Sequence, residues 1–411
     1  PAGVVKFDSV RPSQETEGYA KVGYGSDNLW NVEGAVGGAI SERWSARASM
    51  LYQRRDDWVK NTGTGPNDGL EGYDESAARV QFLYEGENFE ALLGAHARRL
   101  NGTARLFRGN IFKPGTNDFV EGFDENSIAI DGQNHSELES QGANARLVWD
   151  LGDYRLHSIT GFETLKTFSV GDIDGTNEFF TADVPFASET ADGIPDHSQF
   201  TQEFRVESQY AGPLNWQAGV FYFSEDYDVD SVSYDTTNGS AQDGFQRINQ
   251  TNDAWAVFGG LNYQATDKLE LRAGIRYTVD EKDLIVKDYW NTGFSPCFLS
   301  AKCDLDGLLA AQQAAFARGD AVDPFLSAST KDKKFNWDAS ATYAINDDVN
   351  VYGRVATGFR GSSIQSAGAF NEKTVASPET VLSFELGMKA DLWNNRARIN
   401  ASVFHYQVKD Q

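Results

Sequence analysis

The residue types that carry most enzyme chemistry are sparse in this chain, and their spacing does not suit them to it. The five histidines, His96, His135, His157, His197 and His405, show no H-x-x-x-H spacing of the kind that sets two imidazoles around a metal. His157 and His405 fall inside strand-like runs, where a wall or interface side chain is the simpler reading. No G-x-S-x-G elbow, phosphate-binding glycine loop or C-x-x-C pair occurs. The acidic runs "DFVEGFDENS" (118–127) and "EDYDVDSVSYD" (225–235) offer oxygen ligands for a hard cation, but without regular order, and they read as solvated loops. No catalytic residue, metal ligand or cofactor is assigned. Cys297 and Cys303 stand six apart in a chain with no other cysteine. That spacing in a loop predicts a disulfide in an oxidising compartment, the alternative being two free thiols.

What the sequence does offer is charge confined to one face of extended runs. In "LELRAGIRYTVDEKD", Leu269, Leu271, Ala273, Ile275, Tyr277 and Val279 share one face, and Glu270, Arg272, Arg276 and Asp280 share the other. In "VYGRVATGFRGSSIQ" (351–365), Val351, Val355 and Phe359 alternate with Arg354 and Arg360. In "TVLSFELGMKADLW", Leu382, Phe384, Leu386 and Met388 alternate with Ser383, Glu385, Lys389 and Asp391. An arginine facing lipid at the midplane costs about 2–4 kcal/mol, so on a membrane strand these charges must point into a lumen.

The elements that would position them are long. Membrane strands need about nine to eleven residues, and these runs reach that length. The composition agrees, with 39 Gly, 27 Phe, 16 Tyr and 9 Trp against 10 Pro. No apolar run of about 18 residues exists that would make a membrane helix. Short polar turns near 41–42, 86–87, 152–153, 212–213, 266–267, 346–347 and 394–395 alternate with long loops near 61–75, 100–139, 175–198, 235–251, 288–331 and 365–379. Tight turns at one end and long loops at the other are the asymmetry of an outer-membrane barrel. Trp44, Trp149, Trp216 and Trp393 sit by the turns, and Trp58 and Trp290 by the loops, which predicts two aromatic girdles. The expectation is an all-β, transmembrane antiparallel β-barrel with about 15 strands present. A helical stretch, "LDGLLAAQQAAFARGD", is expected within one long loop. A net charge of −24 argues against nucleic acid as a partner. Pro1 is not Met, and "HYQVKDQ" stops inside an alternating run, so both ends are expected to be cut from a longer chain.

The run "VYGRVATGFRGSSIQ", followed by "SPETVLSFELGMKADLWNNRARINASVFHYQVKDQ", resembles the barrel of TonB-dependent outer-membrane receptors. The resemblance is carried by Tyr352, Gly358, Phe359, Arg360, Pro378, Glu379, Glu385, Gly387, Lys389 and Asp410, while Gly361 departs from the family's usual Ala-Pro. "GVVKFDSVRPSQETEGYAKVGYGSDN" looks like the end of that family's plug crossing into a first strand. The resemblance implies residues 1–12 as the C-terminal end of a plug and 13–411 as part of a 22-stranded barrel. It implies a receptor in the Gram-negative outer membrane, in contact with lipid and lipopolysaccharide, that imports a small molecule using energy from TonB with ExbB–ExbD. Ferric siderophores are the commonest family ligands; cobalamin, haem and oligosaccharides are also used. The TonB box lies outside this sequence. Arg272, Arg276, Arg354, Arg360, Glu385 and Lys389 are the expected plug-facing wall, and Phe179, Phe180, Tyr289 and Trp290 are candidate ligand contacts. The rival reading is a passive, unplugged porin.

Overall fold

A computed structural model of the chain describes residues 8–177, 188–235, 241–290, 326–365, 374–394 and 396–410. The first half contains β1 (Glu17–Gly25), β2 (Leu29–Ser41), β3 (Trp44–Arg55), β4 (Val59–Asn61), β5 (Gly69–Leu70), β6 (Tyr73–Glu85), β7 (Phe89–Gly102), β8 (Ser127–Ile128), β9 (His135–Asp150) and β10 (Tyr154–Asp172). Then come β11 (Ser188–Ile194), β12 (His197–Ser208), β13 (Leu214–Asp235), β14 (Ala241–Thr266), β15 (Leu269–Trp290) and β16 (Leu326–Ala344). The chain continues through β17 (Val349–Arg360), β18 (Ser363–Ile364), β19 (Val375–Ala376), β20 (Glu379–Leu392) and β21 (Ala397–Lys409). No helix among the described residues is long and apolar enough to cross a membrane. The expected helical stretch in the 288–331 loop lies outside the described residues.

Among the described residues, sixteen strands form one sheet, running in chain order from β1 to β21. Every neighbouring pair in it is antiparallel, so each consecutive pair can be closed by a short connection. β11 and β12 share the single place between β10 and β13. The sheet therefore has fifteen positions, the number expected.

Two expected loops are shorter than the sequence implied. β13 and β14 continue as a ladder to Asp235 and Ala241, so most of 235–251 and the acidic run 225–235 are strand. β14 has 26 residues, roughly 85 Å at a strand's rise, far more than an apolar band about 25 Å tall requires. These strands thus project beyond the membrane, where the ladder continues past the apolar band. At the same end, β1 and β2 are joined by a tight turn with Asp27 and Asn28 at φ 54° and 51°, the left-handed pair that a twisted hairpin needs.

Register shows which face is apolar. On β12, β13, β14 and β15, Phe204, Val220, Val257 and Tyr277 form one continuous cross-strand row. Val220 and Val257 are 47% and 45% exposed, an outward apolar surface that a water-soluble sheet would cover. At the turn end the outward rings of Trp44, Tyr84, Phe89 and Trp149 stand in a chain with centroids 5.1, 5.9 and 5.1 Å apart. Tyr154 extends it to Tyr210 and Trp216 at 5.7 and 6.1 Å. This is one aromatic girdle.

At the loop end, β4, β5 and β8 make a small sheet over a dry cluster of Val59, Leu70, Ile128 and Ile130, with Leu106 against it. Asn61 holds it together. Its Oδ1 accepts from the backbone N–H groups of Gly63 and Ile130, and its Nδ2 donates to the carbonyls of Asn67 and Ile130. Beside the cluster, Asp172 is 2% exposed and accepts from the Gly132 and Gly175 N–H groups at 3.0 and 2.8 Å. It is the last residue of β10, beyond the apolar band.

Burial raises the Asp172 carboxyl to about 6, with Asp174 and Asp131 adding to the rise and the two N–H groups opposing it. A carboxyl whose folded pKa lies above its unfolded value loses stability as pH rises through the interval between them. The loop cluster should therefore weaken by about 2–3 kcal/mol between pH 4 and pH 6 and stay at the lower level above that. Protease nicking of the 127–134 segment should be slower at pH 5 than at pH 7.5, and Asp172→Asn should remove the difference. Equal nicking of the native protein at both pH values would contradict this.

Candidate functional site: the charged inner wall

The face opposite the apolar one carries the charges. Along one row Arg272 stands opposite Ser340, Ser340 opposite Arg354, and Arg354 opposite Glu385. Arg272 Nε is bonded to Glu270, and Arg354 lies 3.7 Å from the Asp338 carboxylate. Two positions further along the same face, Arg276 lies against aromatic rings, its guanidinium 5.4 Å from the Phe221 centroid and 5.7 Å from that of Phe258. A planar, weakly hydrated guanidinium tolerates such stacking better than an ammonium would. A cavity of about 660 Å³ reaches Arg272, Arg276, Arg354, Asn336 and Asp338.

Four of the residues that carried the sequence resemblance, Tyr352, Glu385, Gly387 and Lys389, come together here. The Tyr352 hydroxyl donates to Glu385 Oε1, and the Lys389 ammonium lies 5.9 Å from the Tyr352 ring centroid. The ring packs on Gly387, where a Cβ would come within 2.4 Å of its atoms. Arg360 stands opposite Glu379 at the loop end of β17.

Immediately after Arg360 the chain folds back over the wall. The Ser362 N–H and hydroxyl both donate to Asp332, at 2.6 and 3.1 Å, and Lys282 Nζ donates to the Ser362 carbonyl at 2.8 Å. A Cβ on Gly361, the position that departs from the family pattern, would lie 2.3 Å from the Asp280 carboxylate oxygen, so a larger residue there requires that side chain to shift. Sequence reading missed this latch because its partners, Asp280, Lys282 and Asp332, lie on β15 and β16, with no local signal linking them to the turn.

The inner wall also pairs its histidines. His157 Nε2 lies 2.9 Å from Glu207, His197 Nε2 3.2 Å from Glu225, and His96 Nε2 3.2 Å from Glu163. Among the described residues, no three His, Cys, Asp or Glu side chains are grouped to hold a metal. Phe179, Phe180, Cys297 and Cys303 lie outside the described residues. Tyr289 and Trp290 end β15, opposite Phe245 and Gly244, with their side chains outside what is described. Of the other loop aromatics, Phe112, Phe119 and Phe123 stack on one another at 5.2 and 4.3 Å.

Ahead of β1, the chain crosses the inner wall. Ser9 is bonded to Arg79, Arg11 Nη2 lies 2.6 Å from Glu90, and Pro12 is buried. By register, Arg79 and Glu90 belong to the face that carries His96 and Gln81.

Residues 72–411 match the family described as TonB dependent receptor-like, beta-barrel. The chain belongs to the TonB-dependent receptor family. It is an outer-membrane protein of the Gram-negative envelope, and its family is one of transport receptors rather than enzymes. Solved TonB-dependent receptors share its fold. The ferric yersiniabactin uptake receptor FyuA from Yersinia pestis superimposes with a TM-score of 0.76 at 16% identity, over 98% of this chain and 56% of that one. The ferric-catecholate import receptor Fiu from E. coli K12, in its closed form, gives 0.69 at 16% identity, over 97% of this chain and 59% of that one. The siderophore receptor PiuA from Acinetobacter baumannii gives 0.69 at 14%, over 96% and 57%. The chain thus spans a little over half the length of each.

Proposed function

We propose that this TonB-dependent receptor chain is the larger part of a 22-stranded barrel that imports a ferric siderophore, with energy delivered by TonB and ExbB–ExbD. Residues 1–12 are the end of its plug. The observation that carries the reading is the 8–12 segment crossing the inner wall, with Arg11 on Glu90 and Ser9 on Arg79. A chain entering β1 from inside the lumen is what a plug ahead of the barrel requires. The arginine row from Arg272 to Arg354, with Arg276, Arg360, Glu385 and Lys389, then serves as the wall against which a plug rests. Its cavity is bordered by Arg272, Arg276 and Arg354 against Glu207 and Asp338, and the one cation in excess favours anionic cargo. The names of the structural relatives, three receptors for iron chelates or siderophores, support the same substrate class.

The test is uptake by cells carrying the full-length receptor. Ferric siderophore import should saturate and should vanish when TonB is deleted. Uptake that is linear in concentration and indifferent to TonB would instead establish the passive-porin reading.

A further inference from the structure

The chain that leaves β17 at Arg360 crosses the inner wall as a strap made of residues 361–365 and 374–376. Within it β18 pairs with β19 in a two-stranded sheet separate from the barrel sheet, and the Gln365 N–H donates to the Thr374 carbonyl at 2.8 Å. The strap is seated through Ser362, which is 5% exposed and alone makes three hydrogen bonds to the wall. Its N–H and hydroxyl donate to Asp332, itself 8% exposed, and its carbonyl accepts from Lys282 Nζ. Register sets Asp280 directly opposite Asp332 on the inner face, where like charges repel. Each carboxylate therefore takes its own donors. Lys282 lies 3.1 Å from Asp280, and Ser362 supplies two donors to Asp332.

This seat differs in kind from the packing of the loop-end sheet. There Val59, Leu70, Ile128 and Ile130 close over one another, and parting them would expose apolar surface to water. The Ser362 seat is polar, and Val375 of the strap remains 41% exposed. Bonds from neutral donors to a carboxylate are strong while they last, yet water replaces them once the donors leave. The strap also lies across a route. Asp280 stands four residues beyond Arg276 on β15, and Asp332 four beyond Asn336 on β16, both toward the loop end. That is roughly 13 Å along the strands. The strap thus sits between the outside and the cavity bordered by Arg272, Arg276 and Arg354.

We propose that the strap is a releasable bar, seated on Asp332 while the receptor holds no cargo and withdrawn each time cargo passes down the wall. Asp332 and Lys282 are its positioning residues. A seat made by one residue suits repeated release. When Ser362 leaves, Asp332 exchanges two donors for water, and Lys282 stays beside Asp280 to screen the opposed pair. The inference rests on the import reading and names a part of this chain that must move for import to occur.

The test locks the strap in place. Ser362→Cys and Asp332→Cys are combined in the full-length receptor with Cys297 and Cys303 replaced by serine, and cells without cargo are mildly oxidised to join the two thiols. The probe is iron-55 bound by the siderophores of spent, iron-starved medium. Uptake should be at least about tenfold slower in oxidised cells than in reduced ones, and a phosphine reductant should restore it. Each single-cysteine variant should import equally well oxidised or reduced, with heat-modifiable migration unchanged. Oxidised and reduced double variants that import at the same rate would overturn the proposal, because the strap would then be a fixed part of the wall. So would thiols that fail to join in correctly folded receptor, because the strap would then not be seated there. Absence of saturable uptake in the parent receptor would strike the import reading itself and take this inference with it.

Discussion

Phe200→Arg is expected to cost about 2–4 kcal/mol, and Thr201→Arg, one residue further along the same strand, under about 1. Phe200 stands opposite Phe162 and Ser224 on the outward face, six residues above the level of Val206 and the girdle. Arginine there is stranded near the middle of the hydrocarbon. Thr201 stands opposite Gly161 and Phe223 on the inner face, among Glu163 and Glu203, where a new cation finds carboxylates already in place. The midpoint of urea-induced loss of the compact, heat-modifiable form in bilayers measures both. Similar costs at the two positions would mean that the two faces have been assigned wrongly.

Gly387→Ala is the second large effect, about 1–3 kcal/mol from one methyl group. An added Cβ would lie 2.4 Å from both Cε1 and Cζ of Tyr352, and the ring can escape only by releasing its hydroxyl from Glu385 and its face from Lys389. Tyr352→Phe keeps the packing and loses the hydroxyl alone, so about 1 kcal/mol is expected. If Tyr352 is the obstacle, Tyr352→Ala with Gly387→Ala should cost less than the two singles combined. Strict additivity, or a neutral Gly387→Ala, would show that the ring does not rest on that glycine.

The barrel strands were legible because lipid imposes its own pattern on them. Leu269 to Val279 and Leu382 to Met388 alternate cleanly, since every second residue must be apolar and every other one meets a polar interior. The strand count followed from that alternation. Legibility fails where the lipid ends. "EDYDVDSVSYD" reads as a loop because carboxylates take the positions an apolar face would occupy, although the ladder with β14 continues through it and buries Asp230 and Val232. The loop-end sheet was equally hidden, because β4, β5 and β8 are two or three residues long and Val59 meets Ile128 only in three dimensions. At the inner wall, alternation named the charges on each strand, and register supplied their neighbours. Arg276 looked like one more lumen cation, and only the fold shows it lying against the Phe221 and Phe258 rings. Glycines that serve as close-approach sites, Gly361 and Gly387, look in sequence like any other strand-breaking residue.

The inner wall and its charges depend on which face of the sheet meets lipid, and site-directed spin labelling of β17 tests that directly. With Cys297 and Cys303 replaced by serine, single labels at positions 351 to 358 of the full-length receptor in bilayers are scanned for collision with oxygen and with a water-soluble nickel chelate. Oxygen accessibility should peak at 351, 353, 355 and 357 and dip at 352, 354, 356 and 358. An oxygen profile without that two-residue period, or one with the opposite phase, would contradict a barrel whose arginines point inward.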